Sequence, residues 1–163
     1  MVYDKEGKYG YLFMQDTILP ATHSSPAAKA GYEQFGKRIH WVDGNNMPGA
    51  FQMNTSWWYK PNKELMEKAG KKGPAEHSHP YPEILGFYGS NPDDPFDLGG
   101  EVELYVDGEQ HIITKSTMVF LPPNLPHCPI TVLKVDRPIF HFSVVMNSIY
   151  TSEQTDGSVI EAK

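Results

Sequence analysis

Short apolar segments separated by turn-forming residues recur along most of this chain, and this pattern limits the folds open to it. The clearest turn is Asp107-Gly108, which lies between two strand-like segments, residues 101–106 and 110–114, and is a strong hairpin signal. A clean helix pattern is confined to residues 62–69. Further strand-like segments are residues 38–42, 51–60, 84–89, 117–121, 130–135 and 139–146. The sequence therefore predicts an all-β protein, an antiparallel barrel or double-sheet jelly roll with few short helices.

The length of 163 residues fits a single domain with one hydrophobic core. Residues 51–150 contain most of the strand-like segments and are predicted to form the barrel. Residues 1–50 are predicted to be an N-terminal arm with edge strands packed on the barrel, including a short helix that begins at Pro26 behind a serine cap. Residues 151–163 are polar, and we expect them to form a flexible C-terminal tail.

The composition argues against several classes of partner. A net charge of −6 gives no electrostatic attraction to nucleic acid or to an anionic membrane. No apolar run approaches membrane-spanning length, and no signal-peptide-like segment is present. The two arginines, Arg38 and Arg137, would give a phosphate-rich ligand few bidentate contacts. The single cysteine, Cys128, excludes an internal disulfide, so we expect a reducing, cytoplasmic location.

A histidine-rich stretch, His77-Ser78-His79-Pro80-Tyr81-Pro82-Glu83, is the best candidate for a functional site. In an extended backbone His77 and His79 point the same way, and Glu83 follows after a proline-rich turn. Further along the chain, His127 follows a proline-braced segment. Imidazole and carboxylate are ligands that Fe(II), Mn, Ni and Zn accept, so these four residues predict a mononuclear metal site. The alternative is that His77 and His79 are solvated loop residues.

Other side chains are candidates for the wall of a ligand cavity. Alternation along residues 51–60 puts Trp57 and Tyr59 on the predicted inward face, either lining the cavity or packing in the core. His141 is predicted to contact substrate or to support a metal ligand, the alternative being a structural histidine. Cys128 could be a thiolate ligand. In a regular strand, however, it faces away from His127, which favours a packed, inert thiol.

These motifs resemble those of the cupin superfamily. The first cupin motif is His-x-His followed by glutamate, matched by His77, His79 and Glu83, and the second places a histidine shortly after Pro-x-Gly, matched by His127. Asn124 replaces the glycine of the second motif, and asparagine tolerates the left-handed conformation better than most residues. The matches cover residues 76–145. The resemblance implies a small conical barrel that encloses the metal.

The resemblance also implies an activity. One divalent transition metal per chain is expected, with Fe²⁺ favoured and Mn²⁺, Ni²⁺ or Zn²⁺ as alternatives; four protein ligands leave two octahedral positions open. The leading hypothesis is a dioxygenase acting on a small oxygenated organic molecule, with Glu83 as a possible base. The alternatives are a metal-dependent isomerase or lyase, and a non-catalytic ligand-binding or sensor module. Exposed apolar strands favour a homodimer.

Overall fold

The computed structural model describes residues 7–68, 70, 75–154 and 158–161. It contains a single 3₁₀ turn at Gly10–Leu12 among those residues. The α-helices in these ranges are α1 Ala21–Ser24, α2 Pro26–Glu33 and α3 Lys63–Lys68. The strands are β1 Gly36–Val42, β2 Gln52–Trp58, β3 His77–Ser78, β4 Glu83–Tyr88, β5 Asp97–Val106, β6 Glu109–Lys115, β7 Thr117–Leu121, β8 His127–Val135, β9 Ile139–Val145, β10 Thr151–Gln154 and β11 Val159–Glu161.

Two antiparallel sheets confirm the predicted all-β, double-sheet architecture. The first sheet has the strand order β1-β2-β9-β4-β7, and the second has the order β11-β10-β3-β8-β5-β6. The predicted hairpin joins β5 and β6, with positive φ angles of 49° at Asp107 and 76° at Gly108. Positive φ at both central residues matches the twist of the flanking strands.

The core lies between the inner faces of the two sheets. Phe87 of β4 and Ile139 of β9 come from the first sheet, and Val102 and Leu104 of β5 come from the second; all four are buried. Along β9 the buried residues alternate with partly exposed ones, so His141 lies on the inner face as predicted. This alternation brings polar side chains of both sheets into one enclosed space.

The inner face of β2 is the opposite of the predicted one, and the assignments of Trp57 and Tyr59 to the cavity wall are wrong. Tyr59 follows the end of β2 and is 47% exposed, while Trp57 packs against Phe140 on the outer face with ring centroids 5.1 Å apart. Trp58 is the buried neighbour, and its indole N–H donates to the Tyr32 hydroxyl at 2.7 Å. The strand carries large aromatic side chains on both faces, so alternation alone could not identify the inner one.

Two short helices, α1 and α2, precede β1 in the N-terminal part of the chain. Helix α2 begins at Pro26 as predicted, and the Ser25 hydroxyl caps it by accepting from the Ala28 N–H at 3.2 Å. Tyr32 and Phe35, at the end of this helix, pack against the core. Residues 1–6 of the predicted arm lie outside the described residues. None of the helices in the described ranges has the length and apolar character needed to cross a bilayer.

The prediction of a loose C-terminal tail needs correction for residues 151–154 and 159–161. These residues form β10 and β11, and β10 pairs with β3 beside the histidine motif. The Tyr81 hydroxyl donates to the Thr151 carbonyl oxygen at 2.6 Å and accepts from the Thr151 N–H at 2.7 Å. The free edge of β3 offers backbone partners that the polar composition of the segment does not reveal. Residues 155–157 and 162–163 lie outside the described residues.

Candidate metal centre and cavity

The four predicted metal ligands lie at one end of the space between the two sheets. His77 in β3 is the register partner of His127 in β8, and their ring centroids lie 4.5 Å apart. His79 directly follows β3, and Glu83 begins β4 in the opposite sheet. All four side chains are buried. We call this group (His77, His79, Glu83 and His127) the histidine end of the cavity.

The backbone orients each imidazole of the histidine end. In every case Nδ1 lies within hydrogen-bond distance of a carbonyl oxygen two residues away. The pairs are His77 with Ala75 at 2.8 Å, His79 with Tyr81 at 2.6 Å and His127 with Leu125 at 2.9 Å. Because a carbonyl oxygen only accepts, Nδ1 carries the proton and donates it. A neutral ring then has its lone pair on Nε2, the arrangement found in metal-binding histidines.

Glu83 is the point at which two of these Nε2 atoms meet. Its Oε2 lies 3.0 Å from Nε2 of His79 and 3.1 Å from Nε2 of His127. Burial acts to raise the pKa of Glu83, but the contacts with His127 and His79 outweigh burial and lower the pKa to about 2. Glu83 is therefore an anionic carboxylate throughout the neutral range.

One atom at the histidine end lacks a suitable partner. Nε2 of His127 is buried and makes no hydrogen bond within the described part of the chain, although Glu83 Oε2 is only 3.1 Å away. A lone pair that faces a carboxylate oxygen is unfavourable unless a proton or a metal cation lies between them. Burial acts to lower the pKa of His127, but Glu83 and the Leu125 carbonyl raise it overall, so a proton can occupy this position. Two imidazole nitrogens and a carboxylate oxygen equally suit a transition metal.

The predicted four-ligand set is divided into two overlapping groups. The candidate ligand atoms of His79, Glu83 and His127 lie within 4.8 Å of one another. His77 instead shares a second such group with His127 and Cys128. Nε2 of His77 accepts a hydrogen bond from the Tyr150 hydroxyl at 2.8 Å, so it must release Tyr150 to bind a shared metal. Three ligands are thus assembled, and His77 adjoins them as a fourth.

Contrary to the prediction, Cys128 does not face away from the histidine end. It is buried, and its sulfur lies within 4.8 Å of ligand atoms of His77 and His127. The reason is the backbone: Cys128 has a φ of 77°, so the strand alternation on which the prediction relied does not hold at this residue. Burial raises the pKa of the Cys128 thiol, which keeps it protonated and makes it a poor ligand in the metal-free protein.

The histidine end opens into a cavity of about 920 Å³. His141 lines this cavity, stacks on Trp58 with ring centroids 4.4 Å apart, and donates from Nδ1 to the Gly86 carbonyl at 3.0 Å. Burial lowers the pKa of His141 to about 4, so the ring is neutral at physiological pH. Apolar residues of the wall include Phe35, Leu65, Leu85, Ile130 and Val132. Such a cavity has the size and lining typical of a site for one small organic ligand.

A second polar group lines the same cavity on the side formed by α1, α2 and β1. Arg38 lies over the ring of Tyr32, with its guanidinium carbon 3.7 Å from the ring centroid. Burial and the charge of Arg38 lower the pKa of His23 to about 4, so this neighbouring ring is neutral. We call this group (His23, Tyr32 and Arg38) the arginine end of the cavity.

The sequence identified the histidine end but not other residues of the cavity, among them Arg38, Trp58 and Tyr150. Arg38 carried a usable signal, because it is one of two arginines in the chain. Trp58 was assigned to the wrong face of β2. Tyr150 lies in the loop after β9, where no periodicity indicates a side-chain direction.

Comparison of the sequence with protein-family models and with curated proteins finds no match to either. Several solved structures are similar in fold. Oxalate oxidase in complex with the substrate analogue glycolate aligns with 96% of this chain at 12% identity and a TM-score of 0.47; this chain spans 66% of its length. KdgF from Halomonas sp. aligns with 67% of this chain and 76% of its own, at 13% identity and a TM-score of 0.36. A cupin 2 conserved barrel domain protein from Leptotrichia buccalis aligns with 68% of this chain and 39% of its own, at 18% identity and a TM-score of 0.39.

These alignments are too weak to say what the cavity binds. The chain's own features are more direct. Two antiparallel sheets enclose a cavity, and the His-x-His segment and His127 lie on paired strands of one sheet, facing Glu83 of the other. This is the arrangement that the cupin resemblance implies.

Proposed function

We propose that this protein is a metal-dependent enzyme that acts on a small oxygenated organic molecule. His79, Glu83 and His127 would hold one divalent transition metal, with His77 as the fourth ligand. The observation that carries the proposal is the buried Nε2 of His127, which has no hydrogen-bond partner among the described residues and lies 3.1 Å from the Glu83 carboxylate. Only a cation or a proton stabilises such a pair.

The donor set favours a metal that accepts both imidazole and carboxylate, such as Fe²⁺, Mn²⁺, Ni²⁺ or Zn²⁺. When bound, the metal would supply dioxygen activation or Lewis-acid polarisation of a substrate oxygen. Dioxygenation with Fe²⁺ is the proposed reaction, and isomerisation or elimination is the alternative. The pKa of about 2 makes Glu83 a weak base, so its proposed role is that of a ligand.

The residues around the metal position would orient the substrate and exclude water. Trp58 and His141 form a stacked pair that presents a flat wall to the cavity. Ile130 and Val132 of β8 line the cavity on the side of the second sheet. An apolar enclosure of this kind strengthens electrostatic interactions between a substrate oxygen and a bound cation.

The first experiment is elemental analysis of protein purified without a histidine tag from cells supplied with several metals. We expect about one equivalent of a transition metal per chain. His79→Ala should lose the metal while remaining folded, because the removal of one ligand weakens the binding of a divalent metal. His111→Ala is the matched control, since His111 is an exposed histidine on β6. A full equivalent of metal in His79→Ala would overturn the ligand assignment.

The second experiment separates the reaction classes. Oxygen consumption by the iron-loaded protein with catechols, diketones or thiols would support the dioxygenase. Turnover of a substrate without oxygen consumption would support the isomerase or lyase. A metal-loaded protein that turns over neither type of compound would leave the ligand-binding or sensor module. The proposed homodimer and cytoplasmic location remain predictions, to be tested by sedimentation and by fractionation.

A further inference from the structure

We infer that the ligand of this cavity carries an anionic group, a carboxylate, which Arg38 binds at the arginine end. This inference deepens the proposed function, because it names the class of substrate: an amphipathic carboxylate whose oxygenated far end would reach the histidine end. The arginine end itself is independent of any metal.

The first argument is that Arg38 has no charge partner. Within the described residues, no carboxylate forms an ion pair with its guanidinium, which lies over the π face of Tyr32 with its central carbon 3.7 Å from the ring centroid. The other arginine, Arg137, pairs with the Asp97 carboxylate at the protein surface. Burial lowers the pKa of Arg38, which shows that the cation is partly removed from water. Arg38 is partly buried, so its charge loses part of its hydration without an ion pair to replace it, and this calls for an explanation.

The second argument is that Tyr32 cannot supply the missing negative charge. Burial raises the pKa of Tyr32, so the phenol is neutral and offers Arg38 only its π electrons. Its hydroxyl accepts a hydrogen bond from the Trp58 indole N–H at 2.7 Å, which fixes the ring. The guanidinium therefore stacks on a fixed ring, and its in-plane N–H groups donate to no acceptor among the described residues. That is the geometry in which arginine binds a carboxylate bidentately.

The third argument is the position of Arg38 on the inner face of the first sheet. It is the register partner of Ser56, and Ser56 is the partner of His141, so all three belong to one row across the sheet. Glu83 lies in the next strand beyond His141, four residues along from the row. Along the surface of the sheet, strand spacing and rise separate the Arg38 and Glu83 Cα atoms by about 20 Å. A ligand that contacts both ends is therefore elongated, and the apolar wall suits an apolar middle.

A single carboxylate fits this end better than a phosphate. One guanidinium beside two neutral rings provides one positive charge, whereas phosphate sites usually combine several cationic or backbone donors. His23 is neutral, since its pKa is lowered to about 4, and so adds no second charge at neutral pH.

The test is calorimetric binding of 4-phenylbutyrate and of the neutral 4-phenylbutan-1-ol to the metal-free protein at neutral pH. The two probes share an apolar body and differ in the anionic group. We expect the carboxylate to bind roughly 10- to 100-fold more tightly, the range expected for a charge-assisted bidentate contact. Arg38→Met should abolish this preference, and Arg38→Lys should retain part of it. Arg137→Met is the matched control and should retain all of it, because Arg137 lies at the surface.

Thermal unfolding distinguishes a binding role from a structural one. If Arg38 is retained for a ligand, Arg38→Met removes a partly buried charge that has no ion-pair partner among the described residues and should melt at the same temperature or higher. A lower melting temperature would assign Arg38 to stability and overturn the inference. Equal affinity for both probes, no binding of either, or an undiminished preference in Arg38→Met would overturn it as well. The metal content of the unmutated protein is measured in parallel. One bound metal without a preference for the carboxylate probe refutes only this inference. A preference for the carboxylate probe without a bound metal refutes only the metal centre.

Discussion

The two ends of the cavity carry charges of opposite sign and differ in the groups that surround the charge. At the histidine end, the Glu83 carboxylate lies within 3.1 Å of two imidazole nitrogens, so a proton or a single metal ion neutralises the group. At the arginine end, the Arg38 cation faces only the Tyr32 ring. The Arg38 side chain is partly buried, and a cation–π contact replaces only part of the hydration that the charge loses. One ion would complete the histidine end, whereas Arg38 at the arginine end has no anionic partner among the described residues.

The contrast indicates how a ligand would be oriented. A molecule with an anionic group at one end and an oxygen-containing group at the other could satisfy both ends, and the reverse orientation would leave Arg38 unpaired. The wall between the ends, which includes Trp58 and Leu85, is mostly apolar. Desolvated polar groups at fixed positions discriminate between ligands more strongly than apolar surface does. The arginine end would therefore select the substrate, and the histidine end would act on it.

The largest effect is expected from Glu83→Gln, which keeps the side-chain shape but removes the charge that compensates the metal. Its metal affinity should fall by at least about 1,000-fold, since loss of a contact outside the ligand shell already costs roughly 10- to 100-fold. Competition titration with a chromophoric chelator measures the affinity. Glu109→Gln, at the exposed first residue of β6, is the control.

Glu83→Gln also tests whether the two ends of the cavity act independently. Because Arg38 lies on the other side of the cavity, Glu83→Gln should retain the preference for 4-phenylbutyrate over 4-phenylbutan-1-ol. Loss of both properties in one variant, with the protein still folded, would mean that the two ends do not act independently. Unchanged metal affinity would remove Glu83 from the site.

The sequence predicted the histidine end well because its information is local. His77 and His79 are two residues apart, and the following turn brings Glu83 to the opposite sheet within four residues of His79. The position of His127 depends on the pairing of β8 with β3, two strands that are distant in the sequence. The proline-braced segment before His127 nevertheless limited the conformations open to this part of the chain. Asn124 in that segment has a φ of 64°, the left-handed conformation expected for the residue that replaces glycine.

Strand alternation could not predict which other side chains face the cavity. Trp57 and Trp58 are adjacent, large and aromatic, so either could have been the inner residue of β2. The direction of Cys128 follows from its positive φ, and that of Tyr150 from an irregular loop. The strand β10 forms because β3 offers an edge, which is a property of the sheet and not of residues 151–154.

An intermediate effect is expected from His141, which lies in the row between the two ends. Its pKa in the folded protein is about 4, below the ordinary value of 6.5. The stability that comes from keeping this ring neutral is therefore fully present above pH 6.5 and is lost as the pH falls from 6.5 to 4. The loss amounts to about 3 kcal/mol at most. The environment of His141 differs from the two charged ends, because its Nδ1 forms a hydrogen bond with a neutral group, the Gly86 carbonyl oxygen.

Urea unfolding of the metal-free protein between pH 7.5 and pH 4 tests this expectation. His141→Gln should show a shallower loss of stability than the unmutated protein over that range. The control is His111→Gln, in which an exposed histidine is changed. Parallel stability profiles for His141→Gln and the unmutated protein would show that His141 does not contribute to the pH dependence.

The smallest effect is expected from Tyr150→Phe, which tests whether the histidine end is held partly closed. The Tyr150 hydroxyl donates to Nε2 of His77 at 2.8 Å, and this bond must break before His77 can bind a metal shared with His127. A neutral hydrogen bond contributes about 1 kcal/mol. Its removal should raise metal affinity roughly fivefold, measured by the same chelator competition.

Tyr81→Phe is the matched control for this substitution. The Tyr81 ring stacks on His79 with centroids 4.6 Å apart, but its hydroxyl bonds to Thr151 and not to a candidate ligand. We therefore expect its metal affinity to change less than that of Tyr150→Phe. If Tyr150→Phe instead binds metal more weakly, the tyrosine oxygen supports the bound ion. The histidine end would then resemble the arginine end, in that both need a group beyond the predicted ligands to be complete.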